Sequence, residues 1–214
     1  EFKGRVGDYV DTICREWIPE IARRRLARFF DVFIEEGFFS TDQARKMAEC
    51  ARTAGLQLKL HVDQFSDQKG AELGAELGAA SCDHLDCVSE TGIRKIAQSN
   101  TVAVLAPGAS LFTGTPYPPA RALIDQGAAV ALTTDFNPGT CPSHNLALMT
   151  TLACSQMRMR LPEALVAITF NAAQALQEEN HFGTLEIGKK FHPWRVALPS
   201  YEALAYQYGE GFLH

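Results

Sequence analysis

Three polar residues stand where apolar stretches stop. Leu56, Leu58 and Leu60 alternate with polar neighbours, the period-two pattern of a strand with one buried face, and the run ends in His61-Val62-Asp63-Gln64. The stretch Ala79 to His84 ends in a second histidine, and Ala129 to Leu132 leads through Thr133-Thr134 into Asp135. Imidazole and carboxylate groups around an open position suit a zinc or iron ion used for hydrolysis. Taken singly, each histidine reads as a hydrogen-bonded structural residue. Three polar strand ends in register are what point to a site, and they are expected to meet around a metal ion.

Asp135 runs into Phe136-Asn137-Pro138-Gly139-Thr140. Asp and Asn seed turns and Pro-Gly completes one, so the plain reading is a turn. Its place directly after a buried strand gives Asn137, the Gly139 amide and Thr140 a second expected role, holding a polar substrate. His144, His181, His192 and His214 lack such a placement and read as surface or structural. Cys141 is a candidate nucleophile with no paired base in view.

These groups need strands to carry them. Residues 7–28 are mostly helical in pattern, with a break expected near Pro19. Phe29 to Ile34 reads as a buried strand. Ser40-Thr41-Asp42-Gln43 is a capping box, followed by Ala44, Met47, Ala48 and Ala51 at helical spacing. Ala71 to Leu77 reads as a helix, as does the stretch from Ser89 to Ser99. Thr101 to Ala106 is a continuous apolar strand. Residues 108–119, rich in Gly, Thr and Pro, read as a loop, and Ala120 to Gln126 as a short helix. Helices are expected at about 144–157 and 162–176, the latter with Leu161, Leu165, Ile168, Ala172 and Leu176 as its buried stripe.

Strand ends near Ile34, His61, His84, Ala106 and Asp135 recur at the spacing of strand–helix–strand units in a parallel sheet. No Gly-rich phosphate loop accompanies them. The fold class expected is therefore α/β, a partial (β/α)8 TIM barrel. A full barrel takes about 250 residues, and this chain has 214. Net charge is −5, which disfavours nucleic-acid or anionic-membrane partners. The run Arg23-Arg24-Arg25 with Arg28 reads as a solvated helix face. Six cysteines without a CxxC pair read as reduced thiols, hence a cytoplasmic location. No signal peptide and no apolar run of about 18 residues is present.

Several runs resemble the imidazolonepropionase family of the metal-dependent amidohydrolase superfamily. They are His61-Val62-Asp63-Gln64, the Ala71–Gly78 helix, Asp83-His84-Leu85, Val102-Ala103-Val104-Leu105, Pro118-Pro119 and Thr134-Asp135-Phe136-Asn137-Pro138-Gly139-Thr140. Asn171-Ala172-Ala173 and Gly183-Thr184-Leu185-Glu186-Ile187-Gly188-Lys189 continue the match. The Asp-x-Asn-Pro-Gly-Thr element is specific to that family, whereas Gly-x-Leu-Glu-x-Gly-Lys marks only the superfamily.

The resemblance implies barrel strands four to eight in residues 1–190 and a divergent remnant of a small β-sandwich domain in 191–214. It implies one zinc or iron ion, with His61 and Asp135 as ligands. His84 would polarise the substrate carbonyl, and Asp135 would also take the proton of the attacking water. Gln64, Asn137, Gly139 and Thr140 would contact the substrate, 4-imidazolone-5-propanoate. The metal would lower the pKa of a water from about 15.7 toward 7. The product would be N-formimidoyl-L-glutamate, a step in histidine degradation, and the resemblance suggests a homodimer.

Two departures stand out. The family's His-x-His pair on the first barrel strand, and a substrate-contacting histidine, have no counterpart here. After Lys190 the chain reads Phe191-His192-Pro193-Trp194-Arg195-Val196 where the family continues Ala-Asp-Leu-Val, and Pro193 removes a strand donor. The alternatives are another cyclic amidase or deaminase of the superfamily, or a non-catalytic chain that binds without turnover. His61 and Asp135 are too few ligands for a catalytic site that normally takes about three from protein. Residues 1–214 supplied with metal and substrate are thus expected not to open the ring. Turnover matching that of an extended protein would overturn that expectation.

Overall fold

The computed structural model describes residues 2–193 and 195–207. Helix α1 (Val6–Thr12) passes through a wide π turn (Ile13–Trp17) into α2 (Ile18–Arg23). The expected break at Pro19 does not occur. Pro19 lies in the first turn of α2, where its missing donor costs least, and the wide turn precedes it.

Five strands follow: β1 (Phe29–Ile34), β2 (Gln57–Val62), β3 (Ser81–His84), β4 (Val102–Leu105) and β5 (Val130–Leu132). They form one parallel sheet in sequence order. The intervening helices are α3 (Thr41–Thr53), α4 (Gly70–Leu77), α5 (Glu90–Ala97), α6 (Pro107–Thr113) and α7 (Ala120–Asp125). This is the strand–helix alternation of a (β/α) barrel, bent into an arc of five units. The expected capping box is in place: Ser40 Oγ accepts from Gln43 N at 3.3 Å and Gln43 Oε1 from Ser40 N at 2.9 Å. Ser89 caps α5 with its hydroxyl alone, accepting from Gly92 N at 3.1 Å.

Strands β1, β2 and β3 have two unlike faces, whereas β4 and β5 are apolar and buried on both. Leu58, Leu60, Val62 and Cys82 are buried against the helices. Helix α4 approaches closely enough that a Cβ on Gly74 would lie 2.1 Å from Cys82 Sγ. The other face carries Phe29, Asp31, Phe33, Lys59, His61, Ser81 and Asp83. There Lys59 Nζ sits 5.5 Å from the Phe29 ring and donates to Ser81 Oγ at 2.6 Å. Ser81 Oγ in turn donates to Asp83 Oδ1 at 2.5 Å.

Three sequence expectations need correction. The stretch expected as a loop at 108–119 contains helix α6. Pro107 supplies its first-turn geometry, and Gly108 lets it press against Cys141 and Met149. The helix expected at 162–176 is two, α9 (Leu161–Ala167) and α10 (Phe170–Ala175), after α8 (Leu146–Gln156). Between them Thr169 leaves helical geometry at φ −123°, ψ −89° and turns its hydroxyl back onto Leu165 O at 2.6 Å. The break also changes which side chains are buried. Ala164, Ala167, Ala173 and Ala175 are, whereas Leu176 is half exposed.

The small-sandwich expectation for 191–214 falls partly on residues 194 and 208–214, outside the described residues. Among the described residues there no strand forms, consistent with Pro193 and Pro199 removing ladder donors. Helix α11 (Ala203–Tyr206) packs on α8 instead.

Gly70, the first residue of α4, seats that helix on β2: a Cβ there would lie 2.5 Å from Val62 Cβ, an atom fixed to the backbone. Gly70→Ala is expected to destabilise the protein by about 1–3 kcal/mol through overpacking. Denaturant unfolding measures this, and an unchanged midpoint would contradict the close seating.

Candidate active site

The chemistry-bearing residues converge at the carboxyl ends of the strands. His61 stands near the end of β2, and Val62, one residue on, pairs in register with His84. Alternation would place His84 on the helix-facing side, with Cys82. It turns into the pocket because His84 and Leu85 take φ of +81° and +64°, conformations that non-glycine residues avoid. The His84 ring then stacks on His61 with centroids 3.9 Å apart and planes 15° off parallel. Phe33 closes the other face of His61 at 4.2 Å. Asp135, after β5, reaches His84 Nε2 at 3.7 Å through Oδ2. His61, His84 and Asp135 line one pocket, with Asp31, Lys59 and Asp83 also on its wall.

Gln64 joins the group, its Oε1 2.8 Å from His61 Nε2. The loop beyond Asp135 is closed by Asn137. Its Nδ2 donates to Asp135 O at 2.6 Å, Asp135 Oδ2 at 3.1 Å and Thr140 Oγ1 at 2.8 Å. Its Oδ1 accepts from the amides of Gly139 at 2.8 Å and Thr140 at 2.7 Å. So Asn137, Gly139 and Thr140 form the turn that the plain reading expects, and they fix Asp135. Cys141 is buried, that burial pushes its thiol pKa up, and its Sγ donates to Ser143 O. Of the remaining histidines, His144 meets the Phe136 ring and His181 pairs with Glu178, both away from the pocket, while His214 lies outside the described residues.

Electrostatics favours uncharged rings. Burial holds the His61 imidazole below its ordinary value, and burial together with the adjacent His61 brings His84 down to about 3. Burial raises the Asp135 carboxyl. Neutral imidazoles are the form that ligates a metal or exchanges hydrogen bonds with a neutral substrate.

Sequence reasoning passed over three parts of this site. Asp31, Lys59 and Asp83 make its polar floor, and a single charged residue within each of three short strands was the available signal. Glu35 is buried and accepts from Phe65 N at 2.8 Å and Ser66 N at 3.3 Å, and from the Ser66 hydroxyl, holding the loop after β2. Asp63 is wholly buried at φ +51°. Its Oδ1 accepts from Gln68 N and Gly70 N, each at 3.0 Å, and its Oδ2 from Ala71 N at 2.9 Å. Asp63, Asp67 and Glu72 bring oxygens within 4.8 Å of one another, but Asp63 spends both of its own on these amides. That cluster is a loop clamp.

A parallel (β/α) sheet with histidines and an aspartate gathered at its strand ends is the frame of a barrel hydrolase. The sequence profile of the amidohydrolase family matches residues 20–190, and the chain belongs to that family. It is 44% identical over 209 residues to an imidazolonepropionase from Thermoanaerobacter pseudethanolicus, covering 98% of this chain and 50% of that protein. It is 47% identical over 189 residues to an imidazolonepropionase from Bdellovibrio bacteriovorus, covering 88% and 44%. The chain thus spans about half the length of the curated relatives it matches. Among solved structures, a zinc-bound adenosine deaminase from Xanthomonas campestris superposes with a TM-score of 0.64 at 18% identity, over 75% of this chain and 41% of that one. A Xaa-Pro dipeptidase with bound methionine gives 0.62 at 14% identity, over 80% and 50%. These two likenesses concern the fold. No helix among the described residues is long and apolar enough to cross a membrane.

The Asp63 clamp sets where Gln64 lies. Asp63→Asn replaces one acceptor oxygen with a donor facing a backbone amide, and is expected to cost about 1–3 kcal/mol. Amide hydrogen exchange at Gln68, Gly70 and Ala71 should quicken. Unaltered exchange at all three would refute the clamp.

Proposed function

We propose that this chain is the carboxyl-terminal part of an imidazolonepropionase and carries part of its metal and substrate site; the whole enzyme hydrolyses the cyclic amide of 4-imidazolone-5-propanoate to N-formimidoyl-L-glutamate. The observation that supports this best is the Asp-x-Asn-Pro-Gly-Thr turn, folded so that Asn137 holds Asp135 against His84. The extent of likeness to imidazolonepropionases supports the same reading.

His61 and Asp135 would hold one metal ion, zinc or iron, together with ligands from elsewhere in the whole protein. The donor set fits, since a neutral imidazole and a carboxylate face the same pocket. His61 Nε2 would have to be released by Gln64, which would then be free to contact the substrate ring. When bound, such an ion supplies a Lewis acid that acidifies a water. Asp135 would take the proton of that attacking water. His84 would hydrogen-bond the ring carbonyl oxygen as negative charge grows there. Water adds at the carbonyl carbon, the ring C–N bond breaks, and the freed nitrogen receives the proton. Asn137 and Thr140, next to Asp135, would lie within reach of the substrate's polar edge.

The reading is tested by a ring-opening assay on a protein that contains this chain within the full length of its relatives. In that protein His84→Ala is expected to lower turnover by about 10²–10³ while metal content holds, the loss typical of one missing charge-stabilising donor. Metal analysis of the same preparations is the check. Metal loss in step with activity would make His84 a ligand, and absence of ring opening by the parent protein would sink the assignment.

A further inference from the structure

His84 lies between two carboxylates, and the proposed reaction uses only one of its nitrogens. Nε2 is 3.7 Å from Asp135 Oδ2, and Nδ1 is 4.0 Å from Asp86 Oδ2. His84 Nδ1 and Asp86 Oδ2 are both buried, and among the described residues neither has a hydrogen-bond partner. The two side chains are only 5% and 2% exposed, so water does not substitute readily. Buried polar atoms left unpaired are rare and costly, and here two of them face each other. A closure of about 1 Å would bring them to hydrogen-bond distance.

The surroundings hold both partners for that contact. Ser110, on α6, donates its hydroxyl to the other Asp86 oxygen, Oδ1, at 2.6 Å. The His84 ring is pinned against His61 by stacking. The left-handed pair His84–Leu85 brings Asp86, two residues on, back beside the ring.

We propose that Asp86 is the positioning residue of His84: its free oxygen accepts the Nδ1–H, which fixes the ring's tautomer and presents Nε2 to the pocket. A carboxylate accepts only, so the proton it binds must sit on Nδ1. A carboxylate bonded to one ring nitrogen also makes the other more basic, as it does behind metal-bound histidines. Nε2 is then bare at rest, and it donates to the carbonyl oxygen once Asp135, 3.7 Å away, passes it the proton taken from the attacking water. That catalytic use rests on the ring-opening reading; the orientation of the ring does not.

The test needs neither metal nor substrate. The chain is labelled with ¹⁵N-histidine, and a long-range ¹H–¹⁵N correlation at neutral pH distinguishes a protonated from a bare ring nitrogen. The parent is expected to show His84 with Nδ1 protonated and Nε2 bare. In Asp86→Asn, Ser110 keeps the amide oxygen, the amide NH₂ faces Nδ1, and the proton should move to Nε2. Signals of the other histidines report whether the variant stays folded. An Nε2–H tautomer or an even mixture in the parent overturns the proposal without recourse to any variant. So does an unchanged tautomer in a folded Asp86→Asn. If the tautomers switch as stated while the ring-opening assay fails, only the proposed reaction falls.

Discussion

The pocket depends on backbone that L-residues avoid. Asp63, His84, Leu85 and Asp135 all have positive φ, and each stands where a strand gives way to its loop. The left-handed conformation costs about 1–2 kcal/mol per non-glycine residue. Glycine would remove that cost and the functional group with it. The case of His84 is plainest, because it pairs in register with Val62, whose side chain lies under α4. A straight continuation of β3 would bury the imidazole among helices. The turn at His84–Leu85 sends it inward onto His61.

Something must hold those turns, and buried carboxylates do. Glu35, after β1, takes the amides that follow Gln64. Asp63, after β2, takes the first amides of α4. Asp86, after β3, takes a hydroxyl from the helix that follows β4. Each acid thus reaches beyond its own strand end to the backbone or helix that comes next. Charge-assisted acceptors of this kind are stronger than neutral ones and have directional demands. Misplacing one loop therefore disturbs its neighbour, which is how a rim of short segments becomes rigid enough to hold a site.

Much of this was legible in the sequence, for physical reasons particular to each element. Leu58 and Leu60 declare β2 because one face of that strand is dry. Ser40 and Gln43 declare the start of α3 because helix ends need acceptors for their free amides. His61, His84 and Asp135 stood out as polar groups ending apolar runs. Other parts were hidden. Helix α6 opens on Pro107-Gly108 at the head of a stretch rich in Gly, Thr and Pro, and Gly108 lets it press against Met149, a contact that exists only in three dimensions. The kink at Thr169 depends on a hydroxyl choosing a carbonyl one turn back. Asp86 carried no signal, since nothing local tells that Ser110 and His84 will flank it.

The charged inner face has a further consequence. A sheet with strand edges at β1 and β5 among the described residues invites stacking or zippering with a second sheet. Asp31, Lys59 and Asp83 stand in the way. A dry sheet laid over that face would bury them, and each ion taken out of water without a full set of partners costs several kcal/mol. Inward-pointing charge is among the devices by which natural sheets resist aggregation. The polar wall beneath His61 is therefore also a guard on the solubility of the arc, and an apolar replacement at Lys59 would trade that protection for a smoother, stickier surface.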